Sequence, residues 1–220
     1  MTIVKICGIT TLQDARFAAE AGADMLGFNF YKNSPRYIDV ETAQTLCDTL
    51  RQELGAACPV LVGIFVNESV SNISRITNKV GLNAAQLSGD ESKDMLRELR
   101  GIAYKAIQPL DKTMALEDVT YYAEHFPTRV KLPSLLLDAY HPSLRGGTGD
   151  QVSVEIALAV KEVVPRLMLA GGLTPENVTE RVQAVQPWGV DVASGVEPEG
   201  KPGVKDHAKV QAFIQAAKHL

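Results

Sequence analysis

The chain has 220 residues, 45% of them hydrophobic and 22% charged, the proportions of an ordinary globular protein and not of a disordered or fibrous one. Twenty-two Lys and Arg against 26 Asp and Glu leave a formal charge of -4, so no basic surplus draws the chain to nucleic acid or an anionic membrane. No apolar run reaches the roughly 18 residues of a membrane span, the N-terminus lacks a signal-peptide core, and Cys7, Cys47 and Cys58 have no metal or disulfide spacing. The expected product is a cytoplasmic protein of one domain, residues 1–220, with free thiols.

A β-branched run from Ile3 to Ile9 reads as a strand, and Thr10 as the cap of a helix carrying Leu12, Ala15, Ala18 and Ala19 on one face. The pattern repeats with Met25 to Phe30 and a helix near Asp39 to Leu54, then Val60 to Val66 and a helix from Glu68. Next come Ala84 to Leu87 with Glu91 to Arg100, and Ala103 to Ile107 with Lys112 to His125. Ser134 to Leu137 leads through Asp138 into a loop holding Gly146-Gly147-Thr148-Gly149, which has the makings of a lid, and then into a helix from Val152 to Val164. Leu167 to Ala170 is followed by Gly171-Gly172 and a helix opened by Thr174 as cap and Pro175 as first residue. Val190 to Ala193 precedes Ser194-Gly195 and a last helix, Lys205 to Lys218.

Eight short, nearly continuous apolar strands, each followed by a helix, imply a parallel sheet covered by helices. A (β/α)8 TIM barrel uses this length most economically, with a doubly wound open sheet as the alternative. In such a barrel the chemistry sits where strands end, which singles out Cys7 and Asp138 as groups able to move protons. A free cysteine is also commonly a small buried hydrophobe, and an aspartate there can simply close a turn. Lys5 lies two residues before Cys7 and shares its face, so an inward Lys5 would favour the thiolate and would itself need a carboxylate, for which Asp191 on the last strand is available. Gly171, Gly172, Ser194 and Gly195 follow strands seven and eight, where this fold commonly binds phosphate through backbone N–H groups, although glycines also serve tight turns. Arg36, after strand two, could grip a carboxylate in bidentate fashion or lie solvated on the surface.

Seven segments in order carry a resemblance that spans nearly the whole chain: KICGIT (5–10), GADMLGFNFYKNSPRYI (22–38), VGIFVN (62–67), LNAAQLSGDE (82–91), LLLDA with GGTG (135–149), LAGGLTPENV (169–178) and VDVASGVE (190–197). They resemble the phosphoribosylanthranilate isomerase family of tryptophan biosynthesis, and depart from it at Ser88, where the family usually has His. The resemblance implies Cys7 as general base, Asp138 as general acid, Arg36 on the anthranilate carboxylate, the glycine segments on the phosphate, and Asp191 as a residue shaping the site. The implied reaction is an Amadori rearrangement of a phosphosugar, with no metal or organic cofactor, in a monomer or homodimer that engages neither nucleic acid nor membrane. Two other readings of the same barrel stand beside it. A different phosphosugar isomerase or epimerase would call for paired carboxylates or a metal-histidine cluster, which the strand ends lack. A barrel that binds sugar phosphates without turnover would be indifferent to Cys7.

Overall fold

A computed structural model describes residues 1–99, 101–139 and 152–218. Its strands are β1 (Ile3–Cys7), β2 (Met25–Asn29), β3 (Val60–Phe65), β4 (Ala84–Leu87), β5 (Ala103–Ile107), β6 (Leu135–Leu137), β7 (Leu167–Leu169) and β8 (Gly189–Val192). The intervening helices are α1 (Leu12–Glu20), α2 (Val40–Leu54), α3 (Val70–Val80), α4 (Lys93–Glu98), α5 (Lys112–Tyr122), α6 (Val154–Val163), α7 (Val178–Val185) and α8 (His207–Lys218). All neighbouring strands pair in parallel, and β8 returns to β1 to close a barrel, which excludes the open doubly wound sheet.

The period-two alternation of each strand divides the core in two. One set of side chains, among them Val4, Ile6, Leu26 and Phe28, packs outward against the helices. The other, with Met25, Val62, Tyr104, Leu136 and Met168, fills the barrel interior. Register then decides which polar residues meet inside it. Lys5 is level with Asp191 across the β1–β8 seam and with Met25 on its other side, while Cys7 is level with Gly27. A Cβ on Gly27 would stand 2.9 Å from the Cys7 sulfur, so glycine at that position leaves the thiol its space.

Several helices begin later than periodicity suggests, since apolar spacing does not by itself fix the first turn. Thr11, not Thr10, caps α1 by accepting from the Asp14 N–H. Thr174 does not cap α7: Asn177 is the N-cap residue, and its amide instead ties back the preceding loop, accepting from the Thr174 N–H at 2.8 Å and donating to the Gly172 carbonyl at 2.8 Å. The segment with Gly146 to Gly149, read above as a lid, lies outside the described residues.

Candidate active site

A pocket opens at the C-terminal ends of the strands, and the candidate residues at the strand ends and in the loops after them line it, whereas Lys5 is buried and does not. Cys7, Asp138, Asp191 and Arg36 stand on its walls. Gly171, Gly172, Ser194 and Gly195 form one rim. Strand ends from all round the barrel therefore converge on a single space, as the fold requires.

Lys5 is fully buried and donates to Asp191 Oδ1 at 2.9 Å, which is the pairing that strand parity called for. Burial by itself would depress the Lys5 ammonium, but the charges of Asp191, Cys7 and Tyr104 more than reverse this and hold it above its ordinary value. The expected consequence for Cys7 does not follow. Burial pushes the thiol up, the Lys5 ammonium pulls it down by less, and the Asp191 carboxylate cancels part of that pull, so Cys7 rests protonated with its pKa above the ordinary thiol value. Strand parity gives both Lys5 and Asp191 but not the burial of the thiol, and burial is the largest influence on it.

Asp138 is held on both oxygens: Gln108 Nε2 donates to Oδ2 at 3.0 Å and the Ala139 N–H to Oδ1 at 2.9 Å. Burial nevertheless dominates and lifts its pKa to about 6, with the Asp191 charge adding to the rise. A carboxyl poised there can deliver a proton near neutrality, and the Ala139 N–H bond also closes the chain locally after β6.

Gly171 and Gly172 have φ of +84° and +59°, a left-handed conformation that turns their N–H groups along a path ordinary residues avoid. Ser194 and Gly195 open a single turn of 3-10 helix, Ser194–Val196, whose first N–H groups have no acceptor within the turn. The two loops touch: a Cβ on Gly195 would lie 1.9 Å from the Leu173 carbonyl oxygen. The rim thus brings the two glycine-containing loops together at one place on the pocket.

Arg36 is neither solvated nor free. Its Nε and Nη2 donate to Glu197 Oε1 and Oε2 at 2.9 and 2.8 Å, and only 11% of its side chain is exposed. Its stem crosses Gly8, whose φ of +76° and missing Cβ make room 2.5 Å from Arg36 Cδ. Glu197, Lys205, Gln108 and Asn177 were passed over in the sequence, as were Tyr104 and Gln86, which run a hydrogen-bonded line from the core to Ser88 in the pocket wall. For Gln108 a signal existed, since it follows β5 at the level where Asp138 follows β6; Gln86, Asn177 and Glu197 lie inside the segments quoted above, but nothing in their spacing says which side chain each one holds. Among the described residues, no three His, Cys, Asp or Glu side chains gather as a metal site.

Comparison with known proteins points the same way as this geometry. Residues 4–216 match the family model described as N-(5'-phosphoribosyl)anthranilate (PRA) isomerase. Proteins called N-(5'-phosphoribosyl)anthranilate isomerase from Trichlorobacter lovleyi and Geotalea uraniireducens are each 43% identical to the chain, covering 99% of it and 98% of the relative in the first case and all of both in the second. The crystal structure of phosphoribosyl anthranilate isomerase from Thermotoga maritima superposes with a TM-score of 0.85 at 37% identity over the whole of both chains. A related crystal structure, in complex with reduced 1-(o-carboxyphenylamino)-1-deoxyribulose 5-phosphate, superposes at 0.81 with 35% identity over the whole of both chains. With a closed eightfold barrel, an acid and a thiol facing one pocket, and kinship that runs from end to end, the chain belongs to the N-(5'-phosphoribosyl)anthranilate isomerase family.

Proposed function

We propose that the rim pocket converts N-(5-phosphoribosyl)anthranilate to 1-(2-carboxyphenylamino)-1-deoxyribulose 5-phosphate, a step of tryptophan biosynthesis, with Asp138 as general acid and Cys7 as general base. Asp138 gives its proton to the furanose ring oxygen as the C1–O bond breaks and the anilino nitrogen forms a Schiff base. Cys7, as thiolate, takes the proton from C2, and the resulting enolamine tautomerises to the ketone. The atoms balance without redox, so the chemistry asks for one acid and one base and no cofactor. Lys5 and Asp191 sit under the thiol; their pair supports an inward-facing Cys7 and adds no net charge to the site.

The observation that carries this reading is a carboxyl lifted to about pH 6 by burial, lining the same pocket as an inward thiol. The two glycine loops hold the phosphate and Arg36 takes the anthranilate carboxylate. Cytoplasmic residence accords with the absence, among the described residues, of any helix long and apolar enough to cross a membrane. The partner is this small phosphosugar, with no nucleic acid or membrane, and the chain works as a monomer or a homodimer. A fluorescence assay following loss of substrate tests the assignment. Cys7→Ala and Asp138→Asn should each lower kcat by about 10²- to 10⁴-fold with the fold retained by circular dichroism. Near wild-type turnover in either variant rules out the role given to that residue.

A further inference from the structure

A buried carboxylate beside the pocket is used by three residues from two segments at once. Glu197 Oε1 accepts from Arg36 Nε at 2.9 Å, from Lys205 Nζ at 2.8 Å and from the Gly203 N–H at 3.1 Å, and Oε2 accepts from Arg36 Nη2 at 2.8 Å. Lys205 is fully buried in its side chain and spends a second N–H on the Ala193 carbonyl at 3.1 Å, next to Ser194. Lys209 reaches the Glu197 backbone carbonyl at 3.1 Å.

We propose that Glu197 is a positioning residue for substrate carboxylate recognition: it grips Arg36 along its Nε–Nη2 edge, so that the Nη1–Nη2 end of the guanidinium stands as a preset fork at the pocket. The proposal rests on the reading of Arg36 given above. A guanidinium has two edges able to hold a carboxylate side by side, and Glu197 occupies one of them. Fixing a long arginine stem in advance removes the rotamer entropy that binding would otherwise cost. Lys205 completes the device. Donating to Glu197 Oε1 at 2.8 Å and to the Ala193 carbonyl at 3.1 Å, it fixes the carboxylate that fixes the arginine. Gly8 leaves the stem its path, since a side chain there would displace Arg36.

Calorimetry with two stable ligands tests this: reduced 1-(o-carboxyphenylamino)-1-deoxyribulose 5-phosphate, and its phenylamino counterpart without the carboxylate. Wild type, Glu197→Gln, Arg36→Met and the double variant are compared. Glu197→Gln should weaken the carboxylated ligand about tenfold and the counterpart less than about twofold, and should raise KM with kcat nearly unchanged. On the Arg36→Met background the same change should cost no further preference, because Glu197 acts through the arginine. Equal weakening of both ligands by Glu197→Gln overturns the proposal and leaves Glu197 a structural residue. Arg36→Met retaining the wild-type preference for the carboxylate removes the Arg36 reading itself, and the proposal with it. Should Glu197→Gln fail to fold, Glu197→Asp, which keeps the charge but withdraws it by one methylene, carries the same comparison with the same outcomes.

Discussion

Asp138 and Gln108 illustrate how two neighbouring residues set one proton affinity by opposition. Burial raises the carboxyl to about 6, while the Gln108 hydrogen bond favours the charged form and restrains the rise. Gln108→Met should therefore move the Asp138 titration to higher pH, observable by carbon-13 NMR of labelled aspartate; a downward move would contradict the assigned donor. The same shift bears on stability. Because the folded pKa of about 6 exceeds the ordinary 3.8, the folded state holds this proton more tightly than the unfolded chain does. The stability so contributed is present below about pH 4 and is lost as pH rises from there through 6. Asp138→Asn removes that loss, and should raise the unfolding free energy by on the order of 1–2 kcal/mol at pH 7.5 but not at pH 4, while nearly abolishing turnover. Thermal unfolding at the two pH values checks it, and equal effects at both would mean that the carboxyl is not penalised by burial.

Strand register does at the level of elements what motif spacing did at the level of residues. Lys5 and Asp191 are 186 positions apart in sequence yet meet at 2.9 Å because β8 closes on β1 with those two residues level. This contact was legible in the sequence once the eight strand–helix units were taken to close, since period-two alternation then turns Lys5, Cys7 and the strand-eight aspartate inward together. The Arg36–Glu197 pair was not legible, because both residues sit in loops, where no periodicity constrains direction. Nor was the late start of α7, because residues 175–177 form a turn where the Thr-Pro-Glu pattern reads as a helix opening. The register pair yields a prediction of its own. Lys5→Met and Asp191→Leu each strand a buried charge and should each cost about 3–5 kcal/mol by urea unfolding, whereas the double variant should cost clearly less than the sum. Additive losses would mean that the two side chains do not depend on one another inside the barrel.

Across the whole molecule the acid and the base are coupled through the proton they divide between them. The proposed mechanism needs Asp138 protonated and Cys7 as thiolate, but the resting protein favours the reverse above about pH 6, since Asp138 ionises there and burial holds the Cys7 thiol above its ordinary range. Both arrangements contain one proton, so their ratio does not vary with pH between the two titrations. It follows that kcat/KM should be level from about pH 6 up to the Cys7 titration and should fall on either side. The lower limb then belongs to Asp138, although it is the acid, because below it the extra proton on the pair leaves Cys7 unable to serve as base. Two controls separate this from titration of the substrate phosphate, whose second ionisation also lies near 6. Gln108→Met should carry the lower limb upward with the Asp138 titration, and the residual activity of Asp138→Asn should lack any limb that belongs to Asp138. A wild-type rate that declines steadily from pH 6 to pH 8 would mean that Asp138 delivers its proton from a pool independent of Cys7, and the shared-proton account of this site would have to be given up.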